Sequence, residues 1–240
     1  MLKKVVIAVV IIVAIGAAGL FVLDRTIFAP AAVSTAVPVA PTIAAPAKAA
    51  AQPTQAAPAT GAAVVYHIDP SQSEAHYEVA ETFFQGNRLN LAIGRTKGIA
   101  GDVSVDFANP ANSQIGTIVI DVSQLTSDEG RRDNFIRNNF LQSAQYPQAT
   151  FKPTKIEGLP ATVKPGDQLT LKVTGDLTVK HTTKPVTFDV TLTANQDKLT
   201  GTATAQIALS DFGVGPIQIA MLQTEDKAKL VFDFVALPAQ

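Results

Sequence analysis

Leu169-Thr170-Leu171-Lys172-Val173-Thr174-Gly175-Asp176-Leu177-Thr178-Val179 is the stretch on which the fold turns. Leu169, Leu171, Val173, Gly175, Leu177 and Val179 share one face. Thr170, Lys172, Thr174, Asp176 and Thr178 share the other. Strict period-two alternation is the mark of a β-strand with one buried and one wet side, because successive side chains point to opposite faces. Threonine is frequent outside, as a β-branched polar residue suits an exposed pleat.

Working outward, the same period recurs. On the C-terminal side Val186, Phe188, Val190 and Leu192 alternate with Thr187, Asp189, Thr191 and Thr193. Then Leu199, Gly201, Ala203, Ala205, Ile207 and Leu209 alternate with Thr200, Thr202, Thr204 and Gln206. Leu230, Phe232 and Phe234 close the series. On the N-terminal side the inward sets are Ala75, Tyr77 and Val79; Leu89, Leu91 and Ile93; Val103, Val105 and Phe107; and Ile118, Ile120 and Val122. That makes eight strands. A ninth, residues 150–156, is interrupted by Pro153 and reads as an edge. Short turn-like links such as Asn195-Gln196-Asp197-Lys198 favour antiparallel hairpins. One polar run, residues 128–138, predicts a short helix, with Ser127 or Asp128 as its cap.

Eight strands with one apolar face form a sandwich or a closed barrel, and closure removes exposed edges. An eight-stranded barrel is wide enough to be filled by side chains or to hold one small ligand. Gly175, Gly201, Ala203 and Ala205 are small inward residues on two strands. They suggest open volume, and tighter packing explains them equally well.

The chain upstream has another character. Residues 5–23 carry no charge, and as a helix would span about 29 Å, the thickness of a bilayer core. Lys3 and Lys4 precede this run, so the positive-inside rule sends the rest of the chain across the membrane. Its length favours an uncleaved anchor over a signal peptide, although Ser34-Thr35-Ala36 offers a peptidase a small-residue site. Residues 28–63 are mostly Ala, Pro, Val and Thr. Pro30, Pro38, Pro41, Pro46, Pro53 and Pro58 block a helix or ladder there, which predicts a disordered linker. The expected organisation is an anchor over 1–27, a linker over 28–63 and a β domain over 64–240, on the extracytoplasmic side of the cytoplasmic membrane.

The chain has 19 basic and 20 acidic residues, which gives no reason to expect nucleic acid as a partner. It has no Cys, hence no disulfide or thiolate metal site. His67, His76 and His181 lack metal-ligand spacing; His76 falls on a predicted wet face and His181 in a turn. There is no nucleophile elbow, P-loop or dinucleotide fingerprint. The reading is of a protein that is not an enzyme and needs no cofactor.

Four motifs occur in order. They are Tyr66-His67-Ile68-Asp69-Pro70-Ser71-Gln72-Ser73; Arg132-Asp133, Arg137 and Phe140 followed by Tyr146-Pro147-Gln148-Ala149-Thr150-Phe151-Lys152; Gly175-Asp176-Leu177-Thr178-Val179-Lys180-His181-Thr182-Thr183-Lys184-Pro185-Val186; and Ser210-Asp211-Phe212-Gly213-Val214-Gly215. Together they resemble the YceI-like family of lipid- and polyisoprenoid-binding proteins, from Val64 to the C-terminus. The chain departs from that pattern at Gln72, Phe135 and Ile136, where His, His and Leu are common. Pro216-Ile217-Gln218-Ile219-Ala220-Met221-Leu222 also replaces a Trp-Asn and glycine-rich stretch.

The resemblance implies an all-β, antiparallel, eight-stranded lipocalin-like barrel that holds an isoprenoid chain without catalysis. The inward positions then become the expected lining: Tyr77, Val79, Leu91, Phe107, Ile120, Phe135, Phe151, Leu171, Val173, Leu177, Phe188, Val190, Ala203, Ala205, Phe212 and Phe232. Arg131, Arg132 and Arg137 are expected near an anionic head group, and a solvated helix face is their plainer reading. The expected partners are an apolar lipid and the membrane; whether the domain dimerises is left open. Two other hypotheses stand beside this one: a filled barrel binding a protein through its loops, and an enzyme acting on a lipid.

Overall fold

A computed structural model describes residues 33–43 and 63–239. The alternating segments form twelve strands of one curled antiparallel sheet. They are β1 (Val64–Ile68), β2 (Glu74–Phe83), β3 (Arg88–Thr96), β4 (Ile99–Ala100), β5 (Asp102–Val105), β6 (Gln114–Ile115), β7 (Ile118–Asp121), β8 (Gln148–Glu157), β9 (Asp167–Val179), β10 (Thr182–Ala194), β11 (Leu199–Ala208) and β12 (Leu222–Pro238). Ten follow the path β4-β7-β8-β9-β10-β11-β12-β1-β5-β6, and β2 and β3 branch from β12. The count exceeds the expected eight by β8, read as a ninth, and by β1, β4 and β6. β1, β4 and β6 are too short to show a period.

A helical segment covers one pole. α1 (Gly130–Phe135) runs straight into a π-helical turn, Ile136–Phe140. Its cap is Glu129, whose carboxylate accepts from the Arg131 amide at 3.0 Å, and neither Ser127 nor Asp128. Ser127 instead binds Asp133, through its amide at 2.9 Å and its hydroxyl at 2.5 Å. The opposite pole is plugged by Tyr66, fully buried, whose hydroxyl donates to the carbonyls of Asn195 at 2.9 Å and Gln196 at 3.3 Å. Ile68, Ile99, Val163, Ala194 and Leu199 pack around it.

Two expectations about strands are corrected. β3 is turned inside out: Leu89 and Leu91 are 77% and 52% exposed, while Ala92 and Thr96 are buried. Its neighbour settles the phase, because Val79 and Tyr77 of β2 lie opposite Ala92 and Gly94. Second, β8 is no edge; it pairs with β7 and β9. Its ladder with β9 shifts register between Pro153 and Lys155, and pairing with β7 ends at Phe151. The missing proline N–H therefore falls at an irregularity, where it costs little. Beyond that point β6 and β8 part, leaving a cleft of about 350 Å³ bordered by Ser113, Ile115, Pro153 and Lys155.

Of the two readings left open for the inward glycines, tighter packing is the one that holds, with aromatic rings against them. A Cβ on Gly175 would meet the Phe151 ring at 2.7 Å; one on Gly201 would meet Phe234 at 2.8 Å; one on Gly94 would meet Tyr77 at 2.4 Å.

Residues 33–43, within the expected linker, lie against the sheet. The Ser34 amide donates to Ser123 Oγ at 3.1 Å, Gln124 Nε2 donates to the Ala36 carbonyl at 2.8 Å, and the Ile43 amide donates to Asp102 Oδ2 at 3.0 Å. Pro38 is buried. Among the described residues no helix is long and apolar enough to cross a membrane. The expected anchor, residues 5–23, lies outside the described residues.

Candidate functional site: an apolar cavity inside the curl

The curled sheet encloses a cavity of about 300 Å³. It runs from Ile136, Phe140, Leu125 and Ile217 at the helix pole to Ile68, Ile118 and Leu199 near the plugged pole. Its size follows from the inward sets. Ala75, Ala92, Ala149, Ala203 and Ala228 border it, so five strands bring only a methyl to the wall at one position each. Phe151 and Phe188 stand edge to face at 4.9 Å, and Phe232 lies 5.4 Å from Phe234. These rings lean on neighbouring strands, partly over the glycines, and shape the wall instead of filling the middle.

Eleven of the sixteen expected lining residues border this cavity: Tyr77, Val79, Ile120, Phe151, Leu171, Val173, Leu177, Phe188, Val190, Ala203 and Phe232. Five do not. Leu91 faces outward. Phe107 packs with Tyr66 at the plug. Ala205 and Phe212 belong to a packed cluster with Val122, Leu141 and Val186. Phe135 stands edge to face with Phe140 at 5.5 Å, and it is Phe140 and Ile136 that reach the cavity. Period alone could not separate lining from core, because both are inward.

Sequence reading missed the one acid on the wall. Glu81 is 3% exposed and borders the cavity. Its position was legible, since 77, 79 and 81 share a face. Its Oε2 accepts from Asn90 Nδ2 at 3.0 Å and Arg132 Nη1 at 3.4 Å. Arg132 also donates to Ser127 Oγ at 3.0 Å and pairs with Asp128. Arg137, 6% exposed, donates to the Leu125 carbonyl at 2.5 Å and to Asn134 Oδ1 at 2.9 Å. Arg131 is exposed on α1. Burial pushes the neighbouring Tyr77 hydroxyl up to about 12, with Arg132 pulling it down and Asp133 and Glu81 adding to the rise.

His76 is more covered than expected: its side chain is 11% exposed and sits between Glu74 at 3.9 Å and Glu78 at 3.4 Å. His67 Nδ1 is 2.6 Å from Asp102 Oδ1. His181 lies 6.0 Å from the Tyr146 ring. Among the described residues no three His, Asp or Glu side chains converge as metal ligands.

Fold and site together define an all-β cavity domain, with an almost wholly apolar interior and one buried ion pair at the helix pole. More narrowly, the chain belongs to the YceI-like domain family, whose sequence profile matches residues 66–236. A UPF0312 protein of Vibrio parahaemolyticus is 35% identical over 128 residues, 50% of this chain and 64% of that protein. Protein YceI of Escherichia coli O157:H7 is 34% identical over 128 residues, 50% and 62%. The chain thus matches somewhat under two thirds of these relatives' lengths. Among solved structures, BcnA of Burkholderia cenocepacia superposes with TM-score 0.54 at 25% identity, over 70% of this chain and 98% of BcnA. A polyisoprenoid-binding domain from Saccharophagus degradans superposes with TM-score 0.54 at 12% identity, over 73% and 99%, a likeness of fold.

Proposed function

We propose that this protein binds and carries a polyisoprenoid or similar apolar lipid inside the curl, and that residues 5–23 tether it outside the cytoplasmic membrane. The observation that carries the reading is the cavity of about 300 Å³ with an apolar wall. Even a 150 Å³ apolar cavity stays dry and takes up a small hydrocarbon. Each buried CH₂ contributes roughly 0.8 kcal/mol, so a chain of a dozen carbons supplies about 10 kcal/mol gross, before the costs of ordering. The polyisoprenoid-binding domain of like fold and the family match support the ligand class. The same cavity weighs against a filled barrel.

The finer architecture belongs to this reading. β1 and β2 run along one partner, β12, with Ile68 opposite Ala236 and Glu74 opposite Asp233. β3, β4 and β5 follow one another over residues 88–105. β6 and β7 follow one another over 114–121, and Thr126 beyond them bridges Arg95. Counted as arms, the sheet becomes eight up-and-down strands that return on themselves, a lipocalin-like barrel split at the cleft between β6 and β8.

We read the lipid's end group as uncharged. Arg132 already faces Glu81 and Asp128, and Arg137 is committed to Leu125 and Asn134. An anion would have to displace the buried Glu81 carboxylate from Arg132, or the Leu125 carbonyl and the Asn134 amide oxygen from Arg137. Native mass spectrometry of the full chain, offered a C15–C20 isoprenol and the matching isoprenyl phosphate, tests both parts. The isoprenol binds and the phosphate binds more weakly. A chain that stays empty with both would end the carrier reading.

A further inference from the structure

Two features meet at the helix pole, and neither is needed to enclose a ligand. The first is an apolar outer surface where the sheet is otherwise threonine-rich. Phe84, Leu89, Leu91 and Met221 are 47%, 77%, 52% and 57% exposed. They are neighbours: the Phe84 amide donates to the Met221 carbonyl at 3.0 Å, and Leu89 and Leu91 follow on β3. This is the tip of the β2–β3 hairpin, and it lies at the helix pole: just before it on β2, Glu81 meets Arg132 of α1 at 3.4 Å and stands opposite Thr224, whose hydroxyl accepts from the amide of the cavity-wall residue Ile217 at 2.8 Å.

The second feature is the course of residues 33–43. Ile43 is held at Asp102, toward the plugged pole, and Ser34 and Ala36 at Ser123 and Gln124, beside Val122 and Leu125 of the cavity wall. Followed toward the N-terminus, the chain therefore climbs to the helix pole. Eleven residues separate Ser34 from Leu23, the end of the apolar run, so that run ends within about 40 Å of Ser123. Measured instead from Val64, a linker free of the sheet would allow about 150 Å.

We propose that the helix pole is the face this protein presents to the bilayer, with residues 33–43 as the strap that orients it and the β2–β3 tip as the element that enters the lipid interface. The inference rests on the lipid-carrier reading and names the surface from which cargo enters. Exposed apolar groups clustered at one edge partition about 5–10 Å into the headgroup–acyl boundary. A water-insoluble chain then passes from bilayer to cavity without crossing bulk water. The competing route is the cleft between β6 and β8, which lies toward the other pole.

The chain has no cysteine, so single-site labels are clean. Full-length protein would be reconstituted in phosphatidylcholine–phosphatidylglycerol vesicles carrying a lipid-attached quencher. Environment-sensitive fluorophores would be placed at Gln85→Cys at the tip, Lys155→Cys at the cleft and Lys198→Cys at the plugged pole. The expected result is quenching at 85 at least about threefold that at 155 or 198, falling when Phe84 and Leu89 are changed to Ser. Replacing residues 33–43 by a Gly-Ser segment of equal length should bring the three sites toward equality. Equal quenching in the unmodified chain, stronger quenching at 155 or 198, or no effect of the strap replacement would overturn the proposal. The measurement needs no cargo, so its failure is distinct from failure of the cavity reading, which mass spectrometry tests.

Discussion

At the scale of single residues, Ala203 and Gly201 separate an open wall from a closed one. Both sit on the inward face of β11, two positions apart. Ala203 borders the cavity, and Ala203→Phe should leave stability within about 1 kcal/mol while lowering lipid occupancy, because the ring has space to enter. A Cβ on Gly201 would come 2.4 Å from the Thr191 carbonyl oxygen and 2.8 Å from Phe234. Gly201→Ala should therefore cost about 1–3 kcal/mol in urea unfolding with occupancy retained by the folded fraction. A reversed order would mean that the volume beside Ala203 is not there. Tyr77 gives a pH test. Burial holds its hydroxyl up to about 12, against 10 in an unfolded chain. Between those values the unfolded state has lost a proton that the folded state keeps, so stability is full below pH 10 and falls as pH rises toward 12. The loss should reach roughly 2–3 kcal/mol for this group, and Tyr77→Phe should remove that share of the alkaline slope. Burial raises Tyr66 likewise to about 12, so part of the slope survives in the variant.

At the scale of elements, legibility in the sequence tracked burial contrast. β9, β10, β11 and β12 were legible because each sets an apolar face against threonine and charge over many residues. β3 was misread for a physical reason. Its apolar residues Leu89 and Leu91 face out, and its inward residues are Ala92, Gly94 and Thr96, so the period was present with its phase reversed. Cross-strand pairing with Tyr77 and Val79 fixes that phase, and pairing cannot be read from one strand. The helical segment was placed correctly, but its cap was not, because Ser127 serves Asp133 across the turn instead of a free helix amide. That contact makes a prediction for the element as a whole. Asp133→Ala strands the Ser127 amide and removes the acceptor of its hydroxyl proton, leaving that oxygen only the bonds it accepts from Arg132 and the Glu129 amide. Local opening of residues 125–140 should become easier by about 1–3 kcal/mol. Amide exchange should show lost protection there, with β9 and β10 unchanged. Protection lost equally across the sheet would mean that α1 is part of the global fold and not a separable cover.

At the scale of the whole molecule, a hollow interior and a stable fold pull against each other. A void lined by side chains forfeits contact energy that a filled core would gain, about 24 cal/mol for each Å³ left empty. For this cavity that comes to several kcal/mol, comparable to the entire stability of an ordinary domain. The fold offsets the loss with packing at its ends: the buried Tyr66 plug, the Phe212 cluster and rings laid over glycines. On the proposed carrier function, ligand and stability are linked. A lipid at 100 to 1,000 times its Kd adds about 2.7–4.1 kcal/mol to the folded state. For a domain of this size, 1 kcal/mol moves Tm by about 2–4 °C, so stripping the lipid with detergent should lower Tm by roughly 5–15 °C. Re-adding an isoprenol should restore it in a concentration-dependent way, and an octyl glucoside control should not. Identical Tm values before and after stripping, with loss of lipid confirmed by mass spectrometry, would show that the interior is stable without cargo. The cavity would then have to be a feature of packing rather than a binding site.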